Sequence, residues 1–211
     1  MNELRNKKML SILLVLLLSV SGITAYFTDQ FTITNVLTVG NVDIELTEPN
    51  WNEDNAKDIV PNKEILKDPV VTNVSKANDA FVFVEVEIPF ANIKTAELDG
   101  TPNDAAEVEM FSFTLNDGWI EIGTGAKDST KKVVKHTYAY ATPSTMTTLA
   151  VGESTTPVFS KVAFANIVDS DTFGGQSVVI DVTAKAIQTV NINNGSTAPA
   201  DVLSILNNNL K

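Results

Sequence analysis

The sequence predicts an all-β protein: an antiparallel, jelly-roll-like β-sandwich with short helical or irregular insertions and a C-terminal helical tail. Two observations favour this fold class. Apolar and polar residues alternate with period two in several short runs, as they do in strands that have one buried face. Turn-rich stretches separate these runs at the short spacing that is typical of sandwiches and jelly rolls; they include 116–118, 123–129 and 173–175.

The clearest predicted strand is 80–88. Its even-numbered residues, from Ala80 to Ile88, are all apolar, whereas the opposite face begins with two phenylalanines and ends with two glutamates. This strand is therefore expected to be buried on both faces at its start and solvated on one face at its end. The other predicted strands are 42–46, 107–115, 131–142, 157–164 and 177–187.

Two segments lack this alternation and are predicted to be helical or irregular, namely 91–106 and the tail 198–210. In the tail, apolar residues at positions 202, 203, 205 and 206 follow Asp201, which is a suitable N-cap residue. This pattern predicts a short terminal helix capped by Asp201.

Composition excludes several classes of function. The chain has 211 residues, which fits one domain, and 26 Asp and Glu against 15 Lys and Arg give it a net charge of −11. Such a chain has no electrostatic basis for binding a phosphate backbone, so no nucleic-acid partner is expected. It has no Cys and a single His, which excludes disulfides, thiol nucleophiles and any zinc site built on two imidazoles.

The first 25 residues are predicted to be a secretory signal peptide. A basic start is followed by an apolar run over 9–20 and by small residues up to Ala25, which is the order of parts in such signals. The apolar run is short for a hydrocarbon layer of roughly 30 Å, and an uncleaved membrane anchor is the alternative. Cleavage between Ala25 and Tyr26 would leave 26–211 with 12 basic and 25 acidic residues. We therefore expect a secreted protein of the extracellular matrix or cell surface, with no membrane segment after cleavage.

His136 is the one imidazole that could carry chemistry. It shares a predicted strand face with Tyr138 and Tyr140. It is interpreted either as a metal ligand or general base, or as an ordinary residue of the sheet. No Ser or Asp lies at a spacing that would complete a known catalytic triad.

Acidic clusters are the other candidate chemistry. They could form a calcium site or a carboxylate pair for glycoside hydrolysis, or they could be solvated acidic loops. Asp169 and Asp171 are spaced like the start of a calcium loop, but the Gly and the terminal Glu of such a loop are missing. No catalytic residue, metal ligand or cofactor is assigned. The acidic residues concerned are Glu53, Asp54, Asp99, Asp104, Glu107, Glu109, Asp169 and Asp171.

Five motifs, which together cover both ends of the chain, point to a known family. They are 25–29 (Ala-Tyr-Phe-Thr-Asp), 35–46 with its Thr-x-Gly-x-Val-x-Ile pattern, 67–73 (Lys-Asp-Pro-Val-Val-Thr-Asn), 79–82 (Asp-Ala-Phe-Val) and 184–188 (Ala-Lys-Ala-Ile-Gln). In this order and spacing they resemble the TasA/camelysin family, exported proteins whose signal is removed by the dedicated signal peptidase SipW.

Two positions depart from the family pattern, and one family property is not expected here. Asn62 stands where a Gly is common, and Phe83 stands where an Arg is frequent. The family label camelysin implies a metalloendopeptidase, but a chain with one His, no Cys and no His-Glu-x-x-His motif offers too few ligands. The chain is therefore not expected to be an enzyme.

The resemblance implies a jelly-roll subunit of extracellular fibres, as in a biofilm matrix, whose copies are joined by donor-strand complementation. Its partners would be further copies of the chain, a signal peptidase of the SipW type and accessory matrix proteins. The expected organisation is a signal peptide over 1–25, a donor-strand segment over 26–36 and a single domain over 37–211.

The donor segment has the composition of a strand. Phe27, Phe31 and Ile33 lie on one alternating face, and an extended segment can add to an open sheet edge through main-chain hydrogen bonds. A head-to-tail contact of this kind propagates a filament. In the alternative, 26–34 folds back as the first strand of its own domain. The alternatives for the whole protein are a camelysin-like secreted metalloendopeptidase and a monomeric surface adhesin or carbohydrate-binding sandwich.

Overall fold

The structure is a computed structural model, and it describes residues 33–39, 41–57, 59–168 and 178–210. These residues form twelve strands and the helix α1 (Pro199–Asn209), with short 3-10 turns at Glu53–Ala56 and Asn193–Gly195. The strands are β1 (Ile33–Val39), β2 (Ile44–Thr47), β3 (Glu64–Leu66), β4 (Val70–Asn73), β5 (Ala80–Ile93), β6 (Ala106–Glu109), β7 (Phe111–Ser112), β8 (Trp119–Glu121), β9 (Ala126–Asp128), β10 (Val133–Tyr140), β11 (Lys161–Phe164) and β12 (Asp181–Gln188).

The described strands form one large sheet and two small ones. The large sheet has the order β1-β12-β5-β10-β8, with β6 added to β5 and β9 added to β10. The small sheets have the orders β3-β11-β7 and β2-β4. Their pairs are antiparallel except for β1 and β12, which run parallel. The all-β, sandwich-like class predicted from the sequence is confirmed.

Strand β5 forms the centre of the large sheet and contributes to apolar clusters on both of its faces. Its first five residues are all buried, and burial then alternates. The even-numbered residues from Ala80 to Ile88 belong to the main core, which includes Ile44, Ile65 and Phe111 from the small sheets. The odd-numbered Phe81 and Phe83 belong to a second cluster on the opposite face. The prediction of a strand buried on both faces only at its start is confirmed.

Helix α1 covers the second apolar cluster. Val202 and Leu206 are fully buried against Phe81, Phe83 and Ile187. The terminal helix is where the sequence places it, but the predicted N-cap is wrong. The helix begins at Pro199 after Ala198, and Asp201 lies in its first turn, where it accepts a hydrogen bond from Ser196 Oγ.

The predicted strands correspond to β2, β5, β10, β11 and β12, while 107–115 contains two strands. It divides into β6 and β7 because β6 pairs with β5 and β7 pairs with β11 in a different sheet. The segment 91–106 is only partly irregular, since β5 continues through Ile93 before the chain turns. In that turn the Glu97 N–H donates to the Thr101 carbonyl at 2.8 Å, and Gly100 takes a φ of 89°. The remaining short strands, β3, β4, β8 and β9, are not predicted from the sequence.

Truncating Leu206 tests whether α1 is an integral layer of the fold. We expect Leu206→Ala to lower the free energy of unfolding by about 2–5 kcal/mol, because the residue is fully buried against the sheet. The matched control Ser204→Ala, on the exposed side of the same helix, should change it by less than about 0.5 kcal/mol. Urea denaturation measures both. Equal, small effects would mean that the helix is dispensable for stability.

Candidate functional site

The candidate interaction site is the edge of the large sheet formed by β1 and β12. Strand β1 lies at one end of the order of the described strands, so among them it is paired with β12 alone. The two strands lie near opposite ends of the described chain, and their parallel pairing cannot be made by a hairpin. An edge strand that is remote in sequence from its partner is held by that partner and not by a local turn.

The register of this pair is defined along most of β1. Ile33 pairs with Val182, and after an irregularity Val36 to Val39 pair in step with Ala184 to Ile187. On its other side β12 is paired in register with β5 over all eight of its residues. Strand β12 is therefore fixed by β5 whether or not β1 is present.

The chain is anchored immediately after β1. Asn78 Nδ2 donates to the Asn41 carbonyl at 2.8 Å. The Asp43 N–H donates to Ser75 Oγ at 2.8 Å, and the Val74 N–H donates to the Asp43 carbonyl at 3.0 Å. These bonds hold 41–43 on the body of the domain, so β1 is bounded by a fixed point at its C-terminal end.

A cleft of about 830 Å³ opens beside the first residue of β12. Asp181 lines it, and the next residue, Val182, is the partner of Ile33. Its lining is partly apolar, with Phe90, Met110 and Val178 among its residues. The cleft therefore lies at the end of β12 where Val182 pairs with Ile33.

The predicted donor-strand residues are described only in part. Ile33 lies in β1, paired with its own chain, as the fold-back alternative expects for this residue. The predicted boundary between 26–36 and 37–211 falls inside β1. Phe27, Phe31 and the predicted cleavage site at Ala25 and Tyr26 lie outside the described residues.

His136 lies between two glutamates on the sandwich-facing side of the large sheet. Its Nδ1 is 2.7 Å from Glu121 Oε1 on β8, and its Nε2 is 3.0 Å from Glu109 Oε2 on β6. Only the doubly protonated ring can donate a hydrogen bond at both nitrogens. The arrangement therefore suits an imidazolium that links three strands, and Tyr138 stacks beside it with ring centroids 6.2 Å apart.

The two carboxylates control the ionisation of His136. Burial would lower its pKa, but the hydrogen bond to Glu121 and the charge of Glu109 outweigh burial and raise the pKa above the ordinary value of 6.5. The neighbouring Tyr138 is buried next to the same two glutamates, and its pKa is raised well above its ordinary value. These shifts favour a charged histidine and a neutral tyrosine in this cluster.

Several of the acidic residues that the sequence singled out have ordinary partners. Asp54 pairs with Lys57 at 2.7 Å, Asp99 accepts from the Thr101 N–H at 2.9 Å, and Glu107 pairs with Lys127. Within 33–39, 41–57, 59–168 and 178–210, no group of three or more His, Asp or Glu side chains is arranged to hold a metal ion. Asp169 and Asp171 lie outside the described residues.

Sequence reasoning missed a buried charged cluster between the segment after β2 and the connection from β3 to β4. Lys67 Nζ lies 2.7 Å from Glu48 Oε1, with both side chains 1% exposed, and 5.2 Å from the centre of the Trp51 ring. The neighbouring Asp68 accepts from the Asn50 N–H at 3.0 Å and from Asn50 Nδ2 at 2.8 Å. The one signal in the sequence is a Lys-Asp pair between the apolar residues of β3 and β4.

No family model matches the chain, and neither a curated protein nor a solved structure matches it at a significant level. In the part of the chain that the structure describes, no helix has the length and hydropathy needed to cross a membrane.

Removing the histidine tests the charged link between the three strands. Because the folded state raises the pKa of His136, its stabilising contribution is complete below about pH 6.5 and is lost as the pH rises through the folded-state pKa. At about pH 6, we expect the free energy of unfolding of the wild-type protein to be higher than that of His136→Gln by about 1 kcal/mol. This is less than the roughly 1.5–3 kcal/mol of a buried charged hydrogen bond, because both glutamates are about one-third exposed.

The measurement is urea denaturation of both proteins from about pH 6 to about pH 9, and the difference should shrink as the pH rises. The matched control is Glu64→Gln, which removes a half-exposed carboxylate far along the chain and should leave the pH dependence as in wild type. A difference that is constant with pH would show that His136 acts through packing alone.

Proposed function

We propose that the chain is a secreted structural subunit of extracellular or cell-surface fibres, as in a biofilm matrix, and that its copies join head to tail by donor-strand complementation through the mature N-terminus. One observation carries the proposal. The first described strand, β1, is an edge strand that pairs in parallel with β12 and lies just after the predicted donor residues Phe27 and Phe31.

Such a strand is suited to exchange between copies. Among the described strands it is hydrogen-bonded to one neighbour, and that neighbour comes from the other end of the chain. The same hydrogen bonds in the same register are available to β1 of a second copy, which is the basis of strand swapping. Because 41–43 is anchored by Asn78 and Ser75, the exchange involves only the segment before it.

The position of the cleft beside Asp181 supports a binding place for the segment that precedes β1. A strand that pairs with β12 in the register of β1 and extends towards its own N-terminus runs past Val182 and Asp181 towards this cleft. Phe27 and Phe31 lie in that extension, and apolar side chains such as Phe90 and Met110 line the cleft. The proposal assigns these phenylalanines to the cleft of the neighbouring copy.

Composition and motifs agree with this role. A Cys-free chain with 26 acidic residues is suited to an oxidising exterior and to solubility before assembly. The motifs at 25–29 and 67–73 resemble those of exported fibre-forming proteins of the TasA/camelysin type. The signal segment would cover the N-terminus of the donor strand before cleavage, so processing by a SipW-type peptidase would permit assembly.

Truncation tests the role of the N-terminal segment. We expect the chain beginning at Tyr26 to form filaments and the chain beginning at Asn35 to remain monomeric, because the second lacks Phe27, Phe31 and Ile33. Negative-stain electron microscopy and size-exclusion chromatography measure both. Filaments from both chains would place the joint elsewhere, and monomers from both would favour the surface adhesin.

A disulfide trap tests whether β1 pairs with a neighbour in the filament. Thr38 and Ala186 are paired residues, strands in a sheet lie about 4.8 Å apart, and this separation suits a disulfide. The chain has no Cys of its own. Filaments of the Thr38→Cys/Ala186→Cys variant, oxidised and then dissolved in detergent without reductant, should give a ladder of covalent oligomers.

The matched control is Thr38→Cys alone, which should give no species above a dimer. A single monomer band from the double variant, with the disulfide closed within each chain, would contradict strand exchange even if filaments form.

A further inference from the structure

Among the described ion pairs, three Lys–Glu pairs have the same separation and very different surroundings. Lys161 and Glu64, Lys185 and Glu85, and Lys67 and Glu48 each have a nitrogen–oxygen distance of 2.7 Å. Both side chains of the first pair are more than half exposed, those of the second are 11% and 13% exposed, and those of the third are 1% exposed. Of these three pairs, Lys67–Glu48 is thus the one in which both side chains are removed from water.

The buried pair also differs in orientation. Lys161 and Lys185 each donate a hydrogen bond to their glutamate at 2.7 Å. Neither carboxylate oxygen of Glu48 accepts a hydrogen bond from any residue that the structure describes, although Lys67 Nζ is 2.7 Å from Oε1. The nitrogen is therefore close to the carboxyl group without aligning with it as a hydrogen-bond donor. The amine and the carboxyl group that an amide would join are thus already in contact.

The surroundings make this pair costly to keep in its charged form. Two buried ions carry a large desolvation penalty that is offset only by good geometry and further hydrogen bonds. The oxygens of Glu48 lack such bonds among the described residues, and the nearby Asp68 carboxylate is bonded to Asn50. A neutral amide of the same atoms would remove both charges from the interior.

We propose that Lys67 and Glu48 condense to an amide, an intramolecular isopeptide bond. Lys67 first gives a proton to Glu48, which leaves a neutral amine and a neutral carboxylic acid. The Nζ lone pair then attacks Cδ of Glu48, the nitrogen–carbon bond forms, and the carbon–oxygen bond breaks. The departing hydroxyl takes the second nitrogen proton and leaves as water, so no oxidant, reductant or co-reactant is needed.

This bond would crosslink the segment after β2 to the connection between β3 and β4, closing a ring over 48–67. It would supply a covalent link to a chain that has no Cys and therefore no disulfide. The ring lies outside β1 and β12, so the inference does not depend on how copies of the chain associate.

Mass spectrometry of the denatured, full protein tests the bond. We expect the intact mass to be lower by one water molecule than the sequence requires after any N-terminal processing is assigned. Trypsin should fail to cleave after Lys67, and the digest should contain a branched peptide that joins the residues around Glu48 to those around Lys67. The Lys161–Glu64 pair is the internal control, and trypsin should cleave after Lys161.

The matched variant is Lys67→Arg, which keeps the positive charge and cannot form the amide. Its mass should equal the sequence mass, and it should lose the branched peptide. A wild-type protein that has the full sequence mass and is cleaved after Lys67 would overturn the proposal. This result depends on wild type alone, so it decides the question even if the Arg variant does not fold.

Discussion

The architecture depends on the need to cover β5 on both faces. Its first five residues are buried without exception, and each large apolar side chain that is taken out of water contributes about 1.5–3 kcal/mol. One face is covered by the small sheets, and the other is covered by α1, which packs on Phe81 and Phe83. Where the second face changes to Glu85 and Glu87, the helix cover is replaced by ion pairs with Lys185, Lys135 and Lys131.

Much of this could be predicted from the sequence because it is local. Alternation predicted the central strands, and the change from phenylalanine to glutamate along β5 predicted where the second cover ends. Strands β3 and β8 have three residues each, too few to show a period. They are strands because β11 and β10 pair with them. Such non-local pairing produces no recognisable pattern in a sequence of three residues.

In the candidate sites, too, local features could be predicted from the sequence and non-local contacts could not. In the sequence, the motif at 67–73 indicates only a resemblance to a family. In the structure, Lys67, Asp68 and Asn73 of this motif are buried polar residues. Asn73, for example, donates from Nδ2 to the carbonyls of Asn78 and Leu149. Such partners lie up to 76 residues away, so composition and spacing could not reveal them. The edge position of β1 is likewise a property of the sheet order and not of its seven residues.

In the proposed assembly, the parallel edge pair also limits the free energy that an exchange of β1 between copies would gain. Exchanging β1 between copies in the same register replaces each hydrogen bond to β12 with an equivalent one, so β1 alone gives no net free energy and the chain's own strand has the advantage of tethering. The register already brings Ile33 to Val182, one residue after the start of β12. In the proposed filament, the driving force would therefore come from 26–32 and its contacts with a neighbour. In this view β1 sets the register of the joint, and Phe27 and Phe31 in the cleft beside Asp181 would supply its affinity.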